Sequence, residues 1–317
     1  MEKSTPTSVP MPESGSPAHW RQRTIYFSIF VAGLCLGFGG SLLDLFRFSL
    51  HNDLYSHILL MPVISGYLIW TDRQKLNLVF VPARRLAVLF LLPGLALLAA
   101  YKLGWQPANE NDRLCLLTLA FLFCFATGFV WWLGGQILRA TVFPLAFLIF
   151  LVPFPLAVEN GLVDFLQHSS AEVSYLMLTG SGMSVLRHGN QFSMPGGVSF
   201  GVAPECSGVR SSLVLFITGL LAAYFFLRRP WPRITLAALL LPLGILRNAF
   251  RIFTLAQLAV HYDPNILDSP LHHRGGPIFF AVSLAPFFLL IWLLRKWEAR
   301  LENQAGKIKC TPHQRSE

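Results

Sequence analysis

The sequence predicts an all-α polytopic membrane protein, with about eight transmembrane helices and a small extracytoplasmic amphipathic helix and β-ribbon before the sixth span. Three observations lead there. Apolar runs of about 20 residues recur along the chain, and a helix of that length rises about 30 Å, enough to cross a hydrocarbon core. Charged residues make up 13% of the 317 and hydrophobic residues 54%, whereas a soluble domain carries roughly a quarter charged residues. The lysines and arginines also gather in alternate links between the runs, as the positive-inside rule requires. The net charge of +9 therefore reads as topology, not as a nucleic-acid surface. The expected environment is a lipid bilayer, with no nucleic-acid partner.

In chain order, residues 1–24 are polar and rich in Pro and Ser, and read as a disordered cytoplasmic tail. The run 25–46 follows Arg21 and Arg23 and lacks a small-residue cleavage site, so it is a retained helix and not a signal peptide. A short second span, 57–71, contains Pro62, and the link 72–85 is basic. Spans at 86–101 and 114–133 follow, then a fifth at 140–157 interrupted by Pro144, Pro153 and Pro155. The stretch 158–206 is the longest without a span. Within 160–181, Leu162, Phe165, Val173 and Leu176 stand among polar residues, the pattern of an amphipathic helix lying at the interface. Residues 191–194 and 198–203 read as two short strands around Pro195-Gly196-Gly197. Spans at 209–227, 234–260 and 277–294 complete the bundle, and 296–317 forms a basic cytoplasmic tail. With eight spans and the N-terminus inside, 17 of the 25 Lys and Arg fall in inside segments. That orientation puts Cys206, the ribbon and the 261–276 loop on the non-cytoplasmic side.

The chemistry gathers around Pro204-Glu205-Cys206-Ser207-Gly208-Val209-Arg210-Ser211-Ser212. A thiol here sits at or just before a helix N-terminus, whose partial positive charge favours thiolate and suits a nucleophile. The same residues also read as an ordinary turn at a helix start, with Ser207 or Glu205 as its cap. The five cysteines (Cys35, Cys115, Cys124, Cys206, Cys310) form no CxxC pair and no Cys/His cluster, so neither a disulfide framework nor a metal or other cofactor is expected.

Polar groups also interrupt the seventh span. Arg247, Asn248 and Arg251 share one helix face by their spacing, and Thr254 and His261 continue the stripe. An arginine within a span costs at least a few kcal/mol unless paired or wetted; the alternative is that both snorkel to the headgroups. Counting from Ile234, a rise of 1.5 Å per residue puts Arg251 about 26 Å along, near the outer edge. His272 and His273 lie one short connection away, as reactive groups or as solvated loop residues. His57, His168, His188 and His261 read as interfacial or packing residues. Thiol, imidazole and guanidinium together suit acyl transfer through a thioester, the imidazole moving the proton and the guanidinium stabilising the oxyanion.

These segments resemble the exosortase/archaeosortase family. Glu205-Cys206-Ser207-Gly208-Val209-Arg210-Ser211 matches its Cys-Ser-Gly motif, Asn248-Ala249-Phe250-Arg251 its Asn-x-x-Arg motif, and His272-His273-Arg274-Gly275-Gly276 its His-x-x-x-Gly motif, in that order. Tyr55-Ser56-His57 with Pro62 is similar to an early Ser-His segment of the family. The similarity runs from about residue 40 to 295, and the resemblance implies an exosortase-like transmembrane domain over 25–295. It also implies that Cys206 is the nucleophile, Arg251 the transition-state stabiliser and His272 the general acid/base, with Glu205, Ser207, Arg247, Asn248 and His273 in support. The family's proteins are membrane cysteine proteases or transpeptidases of bacteria and archaea, which for this chain implies a multi-pass protein of a bacterial inner membrane. They cut exported proteins at a C-terminal sorting tail: a short motif (often Pro-Glu-Pro, hence PEP-CTERM), one membrane helix and an arginine cluster. The other class of function that the residues allow is a non-catalytic membrane subunit for exopolysaccharide export or transport, its arginines binding an anionic substrate.

Overall fold

The computed structural model describes residues 17–75, 80–105, 107–194, 199–202, 208–263, 266 and 276–309. Among these residues, six helical segments are each long and apolar enough to cross a membrane, and up to eight spans result if two bent helix pairs count as one span each. The chain divides into two compact units, Met1–Val158 and Glu159–Glu317.

The first unit begins with α1 (Pro17–Gly37) and α2 (Gly39–His51), bent by 72° at the Gly37–Gly39 break, so the run expected as one span is two helices. The helix also starts inside the stretch read as a tail, because Trp20 is buried with Phe129 and Ile137. A 3-10 turn (Asp53–Leu60) leads into α3 (Met61–Asp72), and the two together are long enough to span. Next come α4 (Arg84–Lys102) and α5 (Glu110–Leu133). Close packing of these two depends on Gly94, where an added Cβ would lie 3.1 Å from Phe123 Cβ and 3.3 Å from Cys124 Sγ. Phe27 of α1 meets Phe125 and Phe129 of α5 edge-on, at 5.7 and 5.6 Å between ring centres. Near the start of α5, Arg113 pairs with Asp44 at 3.1 Å, and Asp112 accepts a hydrogen bond from the Leu156 N–H at 2.7 Å.

The expected fifth span, 140–157, is not a continuous helix. It comprises the end of α6 (Gly135–Ala140), α7 (Val142–Phe147) and a 3-10 turn (Leu148–Leu151). Proline explains this: Pro144 fits only the first turn of a helix, and Pro153 and Pro155 prevent helix from continuing through them. The broken stretch is held down by Ser65 of α3, whose hydroxyl donates to the Pro144 carbonyl at 2.7 Å.

The second unit holds most of α8 (Leu156–Gly180), a three-stranded antiparallel ribbon, and the helices α9 (Val209–Phe226), α10 (Pro230–His261) and α11 (Gly276–Lys309). The ribbon pairs β1 (Leu186–His188) with β2 (Gln191–Ser193), and β2 with β3 (Ser199–Gly201). The sequence reading anticipated β2 and β3 but missed β1. Its hairpin turns at Gly189-Asn190, where Gly189 has φ +62°, the positive φ that a tight two-residue hairpin needs.

α8 packs within the unit through its small and polar residues. Phe165 and Leu176 are exposed, and the buried stripe is Leu166, Gln167, Ser170, Ala171, Ser174 and Leu178. Small side chains let α8 approach α10 closely enough for the Ser174 hydroxyl to reach the Ala249 carbonyl at 3.3 Å, as is usual where membrane helices pack.

α10 takes part in two cores. Its first half packs Leu236, Leu240 and Leu243 against Leu215 of α9 and Phe287 and Ile291 of α11. Its second half packs Ile252, Ala256 and Ala259 against Ala171 and Leu178 of α8 and Phe192 of the ribbon. The buried stripe therefore rotates around the helix midway. Thr254 and His261, expected to continue the arginine face, share its side of the helix by spacing; Thr254, like Arg251, is partly buried, and His261 is exposed. At the far end of the α9–α10 pair, the buried Glu298 carboxylate accepts from the backbone N–H of Arg228 and of Arg229, and Arg233 donates to the Leu227 carbonyl.

Candidate active site

The stripe on α10 changes partners at Arg247 and Asn248, which are 7% and 2% exposed. Facing them is the start of α9. Gly208 precedes that helix in the left-handed conformation (φ +75°, ψ 11°), which glycine adopts without strain. Glycine is needed there for a second reason: an added Cβ would lie 2.8 Å from Asn248 Cγ and 3.2 Å from Arg247 Nη2. One residue thus both turns the chain and lets α9 seat against the polar pair.

Arg247 fastens that seat. Its Nη2 donates to the Ser211 hydroxyl at 2.5 Å and to the Gly208 carbonyl at 3.3 Å. One turn back, Gly244 leaves room for Ser212, whose hydroxyl oxygen would lie 2.8 Å from a Cβ placed there. Among the described residues neither Arg247 Nη1 nor Ser212 Oγ has a hydrogen-bond partner, although both atoms are buried. An unpaired buried donor is destabilising unless a ligand, water or substrate group satisfies it. Arg251, one turn further on, is partly buried. Arg247 is thus integral to a helix–helix seam, and the headgroup-snorkelling alternative does not describe it.

The segment 203–207, with Glu205, Cys206 and Ser207, lies outside the described residues, as do His272 and His273. What the structure places is the flanks. Val202 is buried, its N–H donates to the Asn190 carbonyl at 2.9 Å, and its own carbonyl accepts from Gln167 Nε2 of α8. Gly208, on the other side, is held by Arg247. The residues on either side of the stretch that contains Cys206 are therefore held, Val202 by Gln167 and Gly208 by Arg247. His272 precedes Gly276, the first residue of α11, by four positions.

Sequence reasoning missed Gln167. The only signal was an amide on the face of α8 where Ser170, Ala171 and Ser174 also lie, and that face was read as the solvated one. Ser211 was seen within its motif but given no role; the structure makes it the acceptor for Arg247. Elsewhere, His57 and His261 each bond through Nδ1 to a carbonyl of their own helix or turn (Leu54 and Gln257, both 3.1 Å), and His168 and His188 are exposed.

A family model described as transmembrane exosortase matches residues 49–289. The chain belongs to the exosortase family. The match covers most of the chain and includes α8, the ribbon, Gly208, the arginine pair and the start of α11. Comparison with curated proteins and with solved structures found no match. As an exosortase with six to eight candidate spans, the protein is a multi-pass membrane sorting enzyme.

The grip on Val202 in this exosortase can be tested directly. Gln167→Leu keeps the side-chain size but leaves a buried carbonyl without its donor, a loss of about 1–3 kcal/mol. The variant is expected to process substrate several-fold more slowly, with a modest drop in thermal midpoint. An unchanged rate would show that the ribbon end needs no tether.

Proposed function

We propose that this exosortase is a cysteine peptidase or transpeptidase that cuts the C-terminal sorting tail of exported proteins on the periplasmic side of a bacterial inner membrane. The observation that carries the reading is the grip of Arg247 and Asn248 on Gly208. It fixes the start of α9 two residues from Cys206 and beside the Arg251 turn of α10.

In this reading His272, or its neighbour His273, takes the Cys206 proton. The thiolate sulfur attacks the carbonyl carbon of the scissile peptide bond, and a tetrahedral oxyanion forms. The guanidinium of Arg251 stabilises that charge, an interaction that strengthens as the bound substrate excludes water. Collapse breaks the C–N bond, the histidine returns its proton to the leaving amine, and an acyl-thioester remains on Cys206. Water or an acceptor amine then attacks the thioester, which releases the thiol and completes hydrolysis or transpeptidation. The substrate class is an exported protein with a PEP-CTERM-like tail, and no cofactor takes part. Glu205 and Ser207 flank the nucleophile as capping or electrostatic partners.

The test is co-expression with one tagged tail bearing a short motif, a membrane helix and an arginine cluster. Mass measurement of the product is expected to show a single cut on the N-terminal side of the membrane helix, and any added mass identifies the acceptor. An uncut tail across a panel of such substrates, with export of an anionic polysaccharide depending on the protein instead, would favour a transport subunit.

A further inference from the structure

The first unit carries a second polar feature, at the end opposite the Asp44–Arg113 pair along α5. Two adjoining cavities open there. One, of about 310 Å³, is lined by Arg23, Tyr26, Phe80, Arg84, Trp131 and Trp132 among others. The other, of about 810 Å³, shares Pro82, Ala83 and Arg84 with the first and adds Arg85 and Arg139. The start of α1, the segment before α4 and the end of α5 meet here, and these are the segments whose charge assigns them to the inside of the membrane.

Among the described residues, no Asp or Glu lines either cavity. Among the described residues no carboxylate forms an ion pair with Arg23, Arg84, Arg85 or Arg139. The Arg23 guanidinium lies over the Phe80 ring, 3.4 Å from its centre. That contact holds the guanidinium in place and leaves its edge N–H groups to meet an anion. The walls are fixed as well. Gly134 (φ +88°) is pressed against the Val81 carbonyl, 2.8 Å from where a Cβ would be, and the Gly135 N–H donates to that carbonyl at 3.0 Å. Tyr26 and Trp132 pack at 5.2 Å, and Trp131 is half-exposed, the aromatic setting of a membrane–water interface.

Arginines without carboxylate partners, an aromatic rim and an inner-leaflet position together specify a phosphate that arrives attached to acyl chains. We propose that these cavities form a binding site for the headgroup of an anionic phospholipid, with Arg23 and Arg84 as its phosphate ligands and Tyr26, Trp131 and Trp132 against its glycerol and upper acyl region. Because Arg84 is shared and Arg85 and Arg139 stand in the adjoining cavity, a headgroup with two phosphates fits best. The site is independent of the sorting reaction and stands whether or not Cys206 is the nucleophile.

The experiment is native mass spectrometry of the full-length protein in detergent, titrated with diphosphatidylglycerol, phosphatidylglycerol or phosphatidylcholine. One diphosphatidylglycerol is expected to be retained at least tenfold better than phosphatidylcholine, with phosphatidylglycerol between them. The Arg23→Gln/Arg84→Gln variant should bring all three within about twofold. Arg84→Glu, at an exposed position that leaves the Arg23–Phe80 contact intact, should do nearly the same with an unchanged thermal midpoint. Arg228→Gln/Arg229→Gln, in the second unit, should keep the preference. Equal retention of the three lipids by the native protein, or a preference that survives both Arg84 variants, overturns the proposal. Displacement of the lipid by millimolar inorganic phosphate or pyrophosphate would also overturn it, by assigning the site to a soluble anion.

Discussion

Cys206→Ala is expected to abolish processing of a co-expressed sorting tail while leaving the protein's abundance and thermal midpoint unchanged. In a mechanism that passes through a covalent acyl-enzyme, no other group does the nucleophile's work, and losing one in a comparable hydrolase lowers turnover by about a million-fold. Cys206→Ser should be nearly as inactive, because a hydroxyl is far harder to ionise than a thiol. Two readouts separate a chemical role from a structural one. With the native protein, hydroxylamine added during turnover should release the acyl group as a hydroxamate, and the variant should give none. A membrane-impermeant maleimide applied from outside should block processing in the native protein. Among the described cysteines, Cys115 and Cys124 are buried, and Cys35, though exposed, lies on the apolar helix α1, where a polar reagent reaches it poorly if that surface faces lipid. A Cys206→Ala protein that still cuts the tail would end the thioester mechanism.

Gly208→Ala and Arg247→Met, each alone, are expected to lower turnover at least 30-fold, about 2 kcal/mol in the barrier, with much smaller changes in KM. An alanine at φ +75° carries roughly 1–2 kcal/mol of backbone strain, and its Cβ would also lie 2.8 Å from Asn248 Cγ. The strain is relieved only if the start of α9 moves, and Cys206 moves with it. Arg247→Met keeps much of the bulk but removes the donor to Gly208 and Ser211. Loss of fold would imitate both effects, so a control is needed. Gly219→Ala overlaps Leu240 in the α9–α10 core, far along the helix from Gly208. It should lower the thermal midpoint by a similar amount yet leave turnover per folded molecule near the native value. If Gly219→Ala and Gly208→Ala lose turnover in parallel, Arg247 and Gly208 support the fold and not the reaction.

The membrane architecture was legible in the sequence because apolar runs of spanning length survive any detail of packing. The breaks were harder to read. Three prolines around 144–155 warned of a fractured span, and the structure is fractured there. The bend at Gly37–Gly39 carried no proline and was missed. The sequence showed α8 as amphipathic but not which of its sides faces protein. In a membrane protein large apolar side chains can face lipid and small ones the neighbouring helix. The arginine face of α10 was read correctly at Arg247 and Asn248, where the three- and four-residue spacing holds. Periodicity within one helix does not reveal that its partners change, so the fall in burial along that face towards His261 was not legible. Gln167 was invisible for a similar reason, since its partner carbonyl lies 35 residues away.

That exchange of neighbours along α10 restricts how the gene can vary. Adding or deleting one residue in a helix turns everything beyond the change by about 100°. Near Pro230 or His261 such an indel would disturb only a terminal turn. Between Leu243 and Ile252 it would leave the leucine seam in register and swing the alanine seam away from α8 and the ribbon, with Arg251 on the displaced side. The nine residues from Leu243 to Arg251 therefore behave as a ruler of fixed length. Related chains should differ freely in the identity of its outward-facing residues and almost never in their number.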